Sequence, residues 1–346
     1  MAKAAGYKSI LAVVKEASDA YGTAVVVTEM LPFLSEDIKE TADRVNDESL
    51  IGQAGFNRTF KNQSEYSGPV EFNLDYGSWD LLIAAALGAA GSPSLVTDLY
   101  SNTYTLTSNV DISATLAENK DVVDATGLLH EWPGVKVDKL TLKGTAGGPI
   151  TGTLDLIAQN HYTTGDGNIT NSKANISAAT LLSIPVTMFE DMVFSVADNV
   201  NALAGGDAIC IGNFEFTIDN GLRRLLTNCA LDEPDREKRR AISLKIGIPS
   251  YTSDQFKSWR DANTELQALI QCSRAVSGVT DDYYNELRLG KIQVSDFQTP
   301  TAGEGIIAPT VDFNCLRATT DNPTWAAMTE ECEFYVINGR STSPLA

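Results

Sequence analysis

Histidine is almost missing from this chain: only His130 and His161 occur, and neither stands in an HxxxH or HExxH spacing. With no Cys/His zinc spacing either, the common zinc motifs are excluded. The five cysteines, Cys210, Cys229, Cys272, Cys315 and Cys332, all fall in the second half, and no CxxC is present. An odd set without such spacing reads as reduced, mostly buried thiols. No GxSxG elbow and no GxxxxGK[ST] loop is written anywhere. GDGN at Gly165–Asn168 is the nearest thing to a glycine-rich loop, and it lacks the following helix that a phosphate site uses. The adjacent acids Asp281-Asp282 and Glu330-Glu331 read as solvated rather than metal-binding. The expectation is no catalytic residue, no cofactor and no metal, hence not an enzyme.

Basic residues are scarce beside acids: 26 Lys and Arg stand against 45 Asp and Glu, a net charge of -19. A protein that wraps nucleic acid by neutralising phosphates needs the opposite balance. Long apolar runs are missing too. The most apolar, Leu81–Ala90, is about half of what a bilayer crossing needs. The basic start of the chain loses its apolar stretch at Lys15 and Glu16, which makes a poor secretory leader. No membrane partner is expected.

What is present is alternation. Val70–Tyr76, Phe214–Asp219, Ile242–Ile248 and Thr310–Cys315 each place apolar residues on one face and polar residues on the other. Period-2 patterns of this kind mark antiparallel strands with one buried and one wet side. Two stretches read as helices: Ser78–Leu87, with Ser78 as a cap, and Ser253–Gln271, with Ser253 as a cap.

The alternation repeats. GGPITGTLDL, Gly147–Leu156, matches GEGIIAPTVDF, Gly303–Phe313, at a constant offset, so that Thr153 falls on Thr310 and Asp155 on Asp312. Each half reads strand, long polar excursion, strand, helix, then a hairpin. In the first half the hairpin joins Val135–Lys143 to Ile150–Ala158 through Thr145-Ala146-Gly147. In the second it joins Lys291–Gln298 to Ile306–Leu316 through Thr301-Ala302-Gly303. Thr163–Ser183 is rich in Gly, Asn, Ser and Thr and reads as a linker. The expected division is a first β domain over residues 1–165, a linker over 166–183, and a second β domain with a C-terminal extension over 184–346.

The excursions, Ser35–Glu65 and Asp232–Arg240, are longer than hairpin turns require. They read as arms that pair with a neighbouring subunit, through Glu36, Asp37, Arg58 and Lys61 in the first, and Asp235, Arg236, Arg239 and Arg240 in the second. A solvated hairpin tip is the plainer reading of the second.

Three pieces, Ser49–Gly88, Trp132–Asn160 and Asn213–Arg224, occur in an order that resembles the tail tube proteins of long-tailed (siphovirus-type) bacteriophages, in their two-domain branch. The resemblance implies a mainly β fold, a duplicated β-sandwich or barrel domain with a flanking helix each. It also implies rings stacked into a hollow tube in the virion tail, assembled in the host cytoplasm, with other tail proteins at the tube ends. Three chains would form a pseudo-hexameric ring; six chains in a hexamer is the alternative. DNA would transit the lumen without specific binding. The polar strand faces then suggest a lining that repels phosphates, carried by Glu71, Asp75, Asp155, Glu215, Asp219 and Asp312. A two-domain β-sandwich binding module, an adhesin or virion decoration protein, is the other reading; it would more often show aromatic clusters at loop tips.

Overall fold

The computed structural model describes residues 6–42, 44–47, 59–61, 64–108, 111–120, 127–224, 233–300, 307–318, 322–325 and 328–346. The fold is mainly β, with 48% strand and 10% helix. The first half contributes β1 (Ile10–Lys15), β2 (Glu29–Leu31), β3 (Phe33–Glu36), β4 (Lys39–Thr41), β5 (Glu65–Asn73), β6 (Tyr100–Leu106), β7 (Ala114–Asn119), β8 (Leu129–Thr145) and β9 (Thr151–Ala158), with α1 (Asp80–Leu87) after β5. The helix α2 (Lys173–Ala178) follows. The second half contributes β10 (Met192–Asp198), β11 (Ala208–Ile209), β12 (Asn213–Asp219), β13 (Ala241–Gly247), β14 (Leu266–Arg274), β15 (Tyr283–Gln298), β16 (Thr310–Cys315) and β17 (Glu333–Asn338), with α3 (Gln255–Asp261) after β13. No helix among the described residues is long and apolar enough to cross a membrane.

The alternation read from sequence is what burial follows. In β9, Gly152, Leu154, Leu156 and Ala158 are buried while Thr151, Thr153 and Asp155 are not. In β12, Phe214, Phe216 and Ile218 are buried and alternate with Glu215, Thr217 and Asp219.

The helix α1 is buried along its whole length, Asp80 at its start included, and from Leu81 onward it is apolar all round, as expected of a buried helix. It ends at Gly88, whose φ of 101° is left-handed and favours glycine. Ser78 does not cap it. The Asp75 carboxylate instead accepts the backbone N–H groups of Gly77 at 3.0 Å and Ser78 at 2.7 Å, shaping the turn before the helix.

The helix expected over Ser253–Gln271 is half strand. The helix α3 stops at Asp261, and Asn263 turns the chain with a φ of 50°. Beyond it Leu266, Ala268, Ile270 and Cys272 are buried at every second position, and β14 pairs on both sides, with β10 and β15. Two flanking strands outweigh a loose helical spacing, because propensity is a weak prior against tertiary context.

Long strands organise both halves. The first part of β8 pairs with β7 and its second part with β9; β15 does the same with β14 and β16. The far side of β9 takes β5 and that of β16 takes β13. Next come β3 and β4 beside β5, and β12 beside β13. On the other flank β7 leads to β1 and β2, and β14 to β10 and β11. The registers agree as well as the order. Asp155 faces Lys139 in one hairpin and Asp312 faces Asp296 in the other. The hairpin turn at residues 301–303 lies outside the described residues.

Two strand pairings join the halves, one of β8 with β12 and one of β6 with β17. Residues 139–145 of β8 take β12 along their outer edge, Lys139 opposite Asp219 and Thr145 opposite Asn213. A single continuous sheet results, in the order β3/β4, β5, β9, β8, β12, β13, β16, β15. A second layer closes over its apolar side, where β17 bridges β6 and β15. The main core is correspondingly one cluster, running from Phe72, Trp79 and Leu154 to Phe216, Leu244 and Phe313. The Phe72 and Trp79 rings stack within it at 4.0 Å.

Candidate functional site

The other side of the continuous sheet carries polar side chains. Residues directly opposite each other on neighbouring strands point to the same face, so the register sorts this side into rows. The middle row is mostly hydroxyl and amide: Thr153, Thr141, Thr217 and Ser243 stand in succession, then Asn314 and Gln293. At its start Ser35 donates its hydroxyl to Glu71 at 3.0 Å.

The rows on either side are ionic. In one, Lys143, Glu215, Lys245, Asp312 and Asp296 follow one another across five strands. Lys143 Nζ lies 3.2 Å from Glu215 Oε1, and Lys245 Nζ lies 3.2 Å from Asp312 Oδ1. In the other, Asp155, Lys139 and Asp219 are neighbours, and Lys238 Nζ meets Asp219 Oδ2 at 3.0 Å.

Five of the six acids expected to share a face therefore do so: Glu71, Asp155, Glu215, Asp219 and Asp312. Asp75 does not. It lies past the end of β5, is only 5% exposed, and spends its carboxylate on the turn before α1; burial raises its pKa. The lysines of this face were missed. Lys139, Lys143 and Lys245 stand at wet positions of their strands in the sequence, but only the register shows that they alternate with the acids.

The residues expected in arms divide. Glu36 is drawn inward, with its carboxylate 3.1 Å from Lys120 Nζ, and Lys120 also pairs with Glu118 at 3.2 Å. Asp37 stays exposed and pairs with Lys39 at 3.1 Å. Arg58 lies outside the described residues, and Lys61 ends a short strand paired with Arg44–Asn46. Asp235 and Arg236 pair with Leu222–Arg223. Arg236 donates to the Asn220 and Ser108 carbonyls, each at 3.2 Å. Arg240 donates to the Thr107 carbonyl at 3.0 Å and to Glu331 at 2.8 Å. Arg239 is exposed. Glu36, Arg236 and Arg240 thus each find a backbone carbonyl or counter-ion within their own chain.

The two histidines meet. His130 Nδ1 and His161 Nε2 are 2.8 Å apart, stacked beside Trp132. Burial first, and then the nearby Lys120 charge, push the His130 pKa down to about 4 and lower that of His161. The paired acids have structural partners. Asp281 accepts the N–H groups of Thr97, Asp98 and Leu99 at 2.8, 2.7 and 3.0 Å, Glu330 holds Arg317 at 3.0 Å, and Glu331 holds Arg240. Among the described residues no group of three or more His, Cys, Asp or Glu is placed to hold a metal ion.

A family model described as phage tail tube protein matches residues 6–315 of the chain. No curated protein matches it.

Proposed function

The chain belongs to the phage tail tube protein family, whose place is in the virion tail and whose role is structural, and from that premise we propose that it is the ring-forming subunit of the tube. In this reading the chain carries the same β unit twice, and three copies close a pseudo-hexameric ring.

The observation that carries the reading is the junction between β8 and β12. It covers the outer edge of β8, whereas the matching edge of β15 at residues 296–298 has no strand partner among the described residues. The outer edge of β3 and β4 has none either. Those two edges correspond to the two members of the junction. The β8–β9 hairpin maps onto the β15–β16 hairpin at an offset of 157, since Lys139 and Asp155 correspond to Asp296 and Asp312. The edge at residues 35–41 maps onto β12 at an offset of 178, since Thr41 pairs with Glu65 as Asp219 pairs with Ala241. Moved by these offsets, the Lys139–Asp219 pair becomes Asp296 of one copy opposite Thr41 of the next. Phe297 then faces Glu40, and Gln298 faces Lys39. Open strand edges invite such pairing, and a closed ring removes them.

Ring closure would put the polar face inside. The apolar face carries α1 and the second layer, and the thicker side of a wedge belongs outside a ring. On the polar face acids outnumber lysines, so a duplex passing through would meet a wall without a net positive grip. Stacked head to tail, such rings grow into a tube, assembled in the host cytoplasm and capped by other tail proteins.

Electron microscopy of the concentrated protein tests the reading: rings or tubes are expected, and monomers at every concentration overturn it. Phe297→Pro removes an N–H from the open edge, where it now turns to Asp296 Oδ1 at 2.8 Å. That variant should fold and fail to close rings.

A further inference from the structure

On the reading of the polar face as the channel wall, we propose that Glu215 and Asp312 are built-in counter-ions that keep Lys143 and Lys245 from gripping the phosphates of passing duplex DNA. The four residues sit on four adjacent strands in the order Lys143, Glu215, Lys245, Asp312, and adjacent strands are about 4.8 Å apart. Glu215 therefore stands between two lysines, and Lys245 between two acids. The lysine side chains are 54% and 52% exposed, and the acids 45% and 35%.

Exposed pairs of this kind add only about 0–1 kcal/mol to stability, so the fold does not require them. Their consequence lies in the wall. Unpaired lysines repeated around a ring would neutralise phosphates and release counterions, the main source of sequence-independent DNA affinity. Acids alone would raise the electrostatic cost of drawing a polyanion into a narrow channel. An alternating row does neither, and leaves the duplex free to slide.

The test compares assembled wild-type tubes with a Glu215→Gln/Asp312→Asn variant, using short duplex DNA at low salt, co-sedimentation and nuclease digestion. The variant should retain roughly tenfold more DNA than wild type and release it as salt rises. Adding Lys143→Gln and Lys245→Gln should abolish the gain. A variant that retains no more DNA than wild type overturns the proposal, as does retention that survives loss of both lysines. Retained DNA that resists nuclease supports the counter-ion role together with the channel reading. Retained DNA that is digested supports the counter-ion role and overturns the channel reading alone. If the variant does not assemble, fluorescence anisotropy on the folded single chain makes the same comparison, and an unchanged affinity overturns the proposal.

Discussion

Arg340 holds Glu29 through two parallel hydrogen bonds, Nη1 to Oε1 at 2.8 Å and Nη2 to Oε2 at 2.7 Å. Its Nε also lies 3.7 Å from Asp80 Oδ2, to which Asn338 donates at 2.8 Å. The C-terminal extension is thus a strap laid back over the first half. Arg340→Met leaves Asp80, whose side chain is 3% exposed, without its cation. Breaking a buried pair from one side costs about 3–5 kcal/mol; Glu29 is partly exposed, so the low end is expected. Urea unfolding checks this, and a loss under about 1 kcal/mol would remove the strap from the account.

The same site sets a pH dependence. Burial raises the Asp80 pKa to about 6, against the opposing pull of Arg340. A carboxyl raised in the fold contributes stability below its unfolded pKa and loses it as pH rises through the folded value. Without Arg340 that loss deepens. The deficit of Arg340→Met relative to wild type should therefore be larger at pH 8 than at pH 5, and equal deficits would contradict the assignment.

Asn220 fastens the junction of the halves. It is fully buried and donates to the carbonyls of Ala86 at 2.9 Å and Val137 at 3.2 Å. Asn220→Leu strands both acceptors and should cost about 2 kcal/mol. The check is the unfolding midpoint at an unchanged denaturant slope.

Gly152 is a steric requirement. A Cβ there would lie 2.1 Å from the Phe72 ring, which is itself stacked on Trp79. Gly152→Val should cost about 3 kcal/mol or prevent soluble expression. Gly167→Ala, where a Cβ meets nothing within 4 Å, should be silent in the same assay.

Thiol labelling separates the described cysteines. Cys210 is exposed, while Cys272, Cys315 and Cys332 are buried. Burial pushes the Cys272 thiol up to about 12 and raises the other two as well, which suppresses the reactive thiolate. Among these four, Cys210 should react in native protein and the others only on unfolding. Rapid native labelling of Cys272 would contradict the buried core around β14.

The strand Thr310–Cys315 was legible to the residue, and those at Phe214–Asp219 and Ile242–Ile248 to within one, because a half-buried strand writes its two faces into alternate positions. Which strand lies beside which is not written there. That is why the acids of the polar face were visible and their alternation with Lys143 and Lys245 was not. Leu266–Arg274 misled because Phe256, Trp259, Leu266 and Ile270 carry a helical spacing across a strand. Asp75 misled because the alternation of Val70–Tyr76 continues for three residues after the strand has ended at Asn73 and the chain has turned inward. The C-terminal strap had no local signal: Arg340 finds Glu29 from 311 positions away.

The undivided core has an evolutionary consequence. Phe72 and Phe216 belong to one apolar cluster although they come from opposite halves of the gene. Residues packed together in this way do not vary independently. A recombination crossover in the segment between the halves would join half of one core to half of another. Exchange between related phages should therefore carry the coding sequence whole, and compensating substitutions should be found across its midpoint.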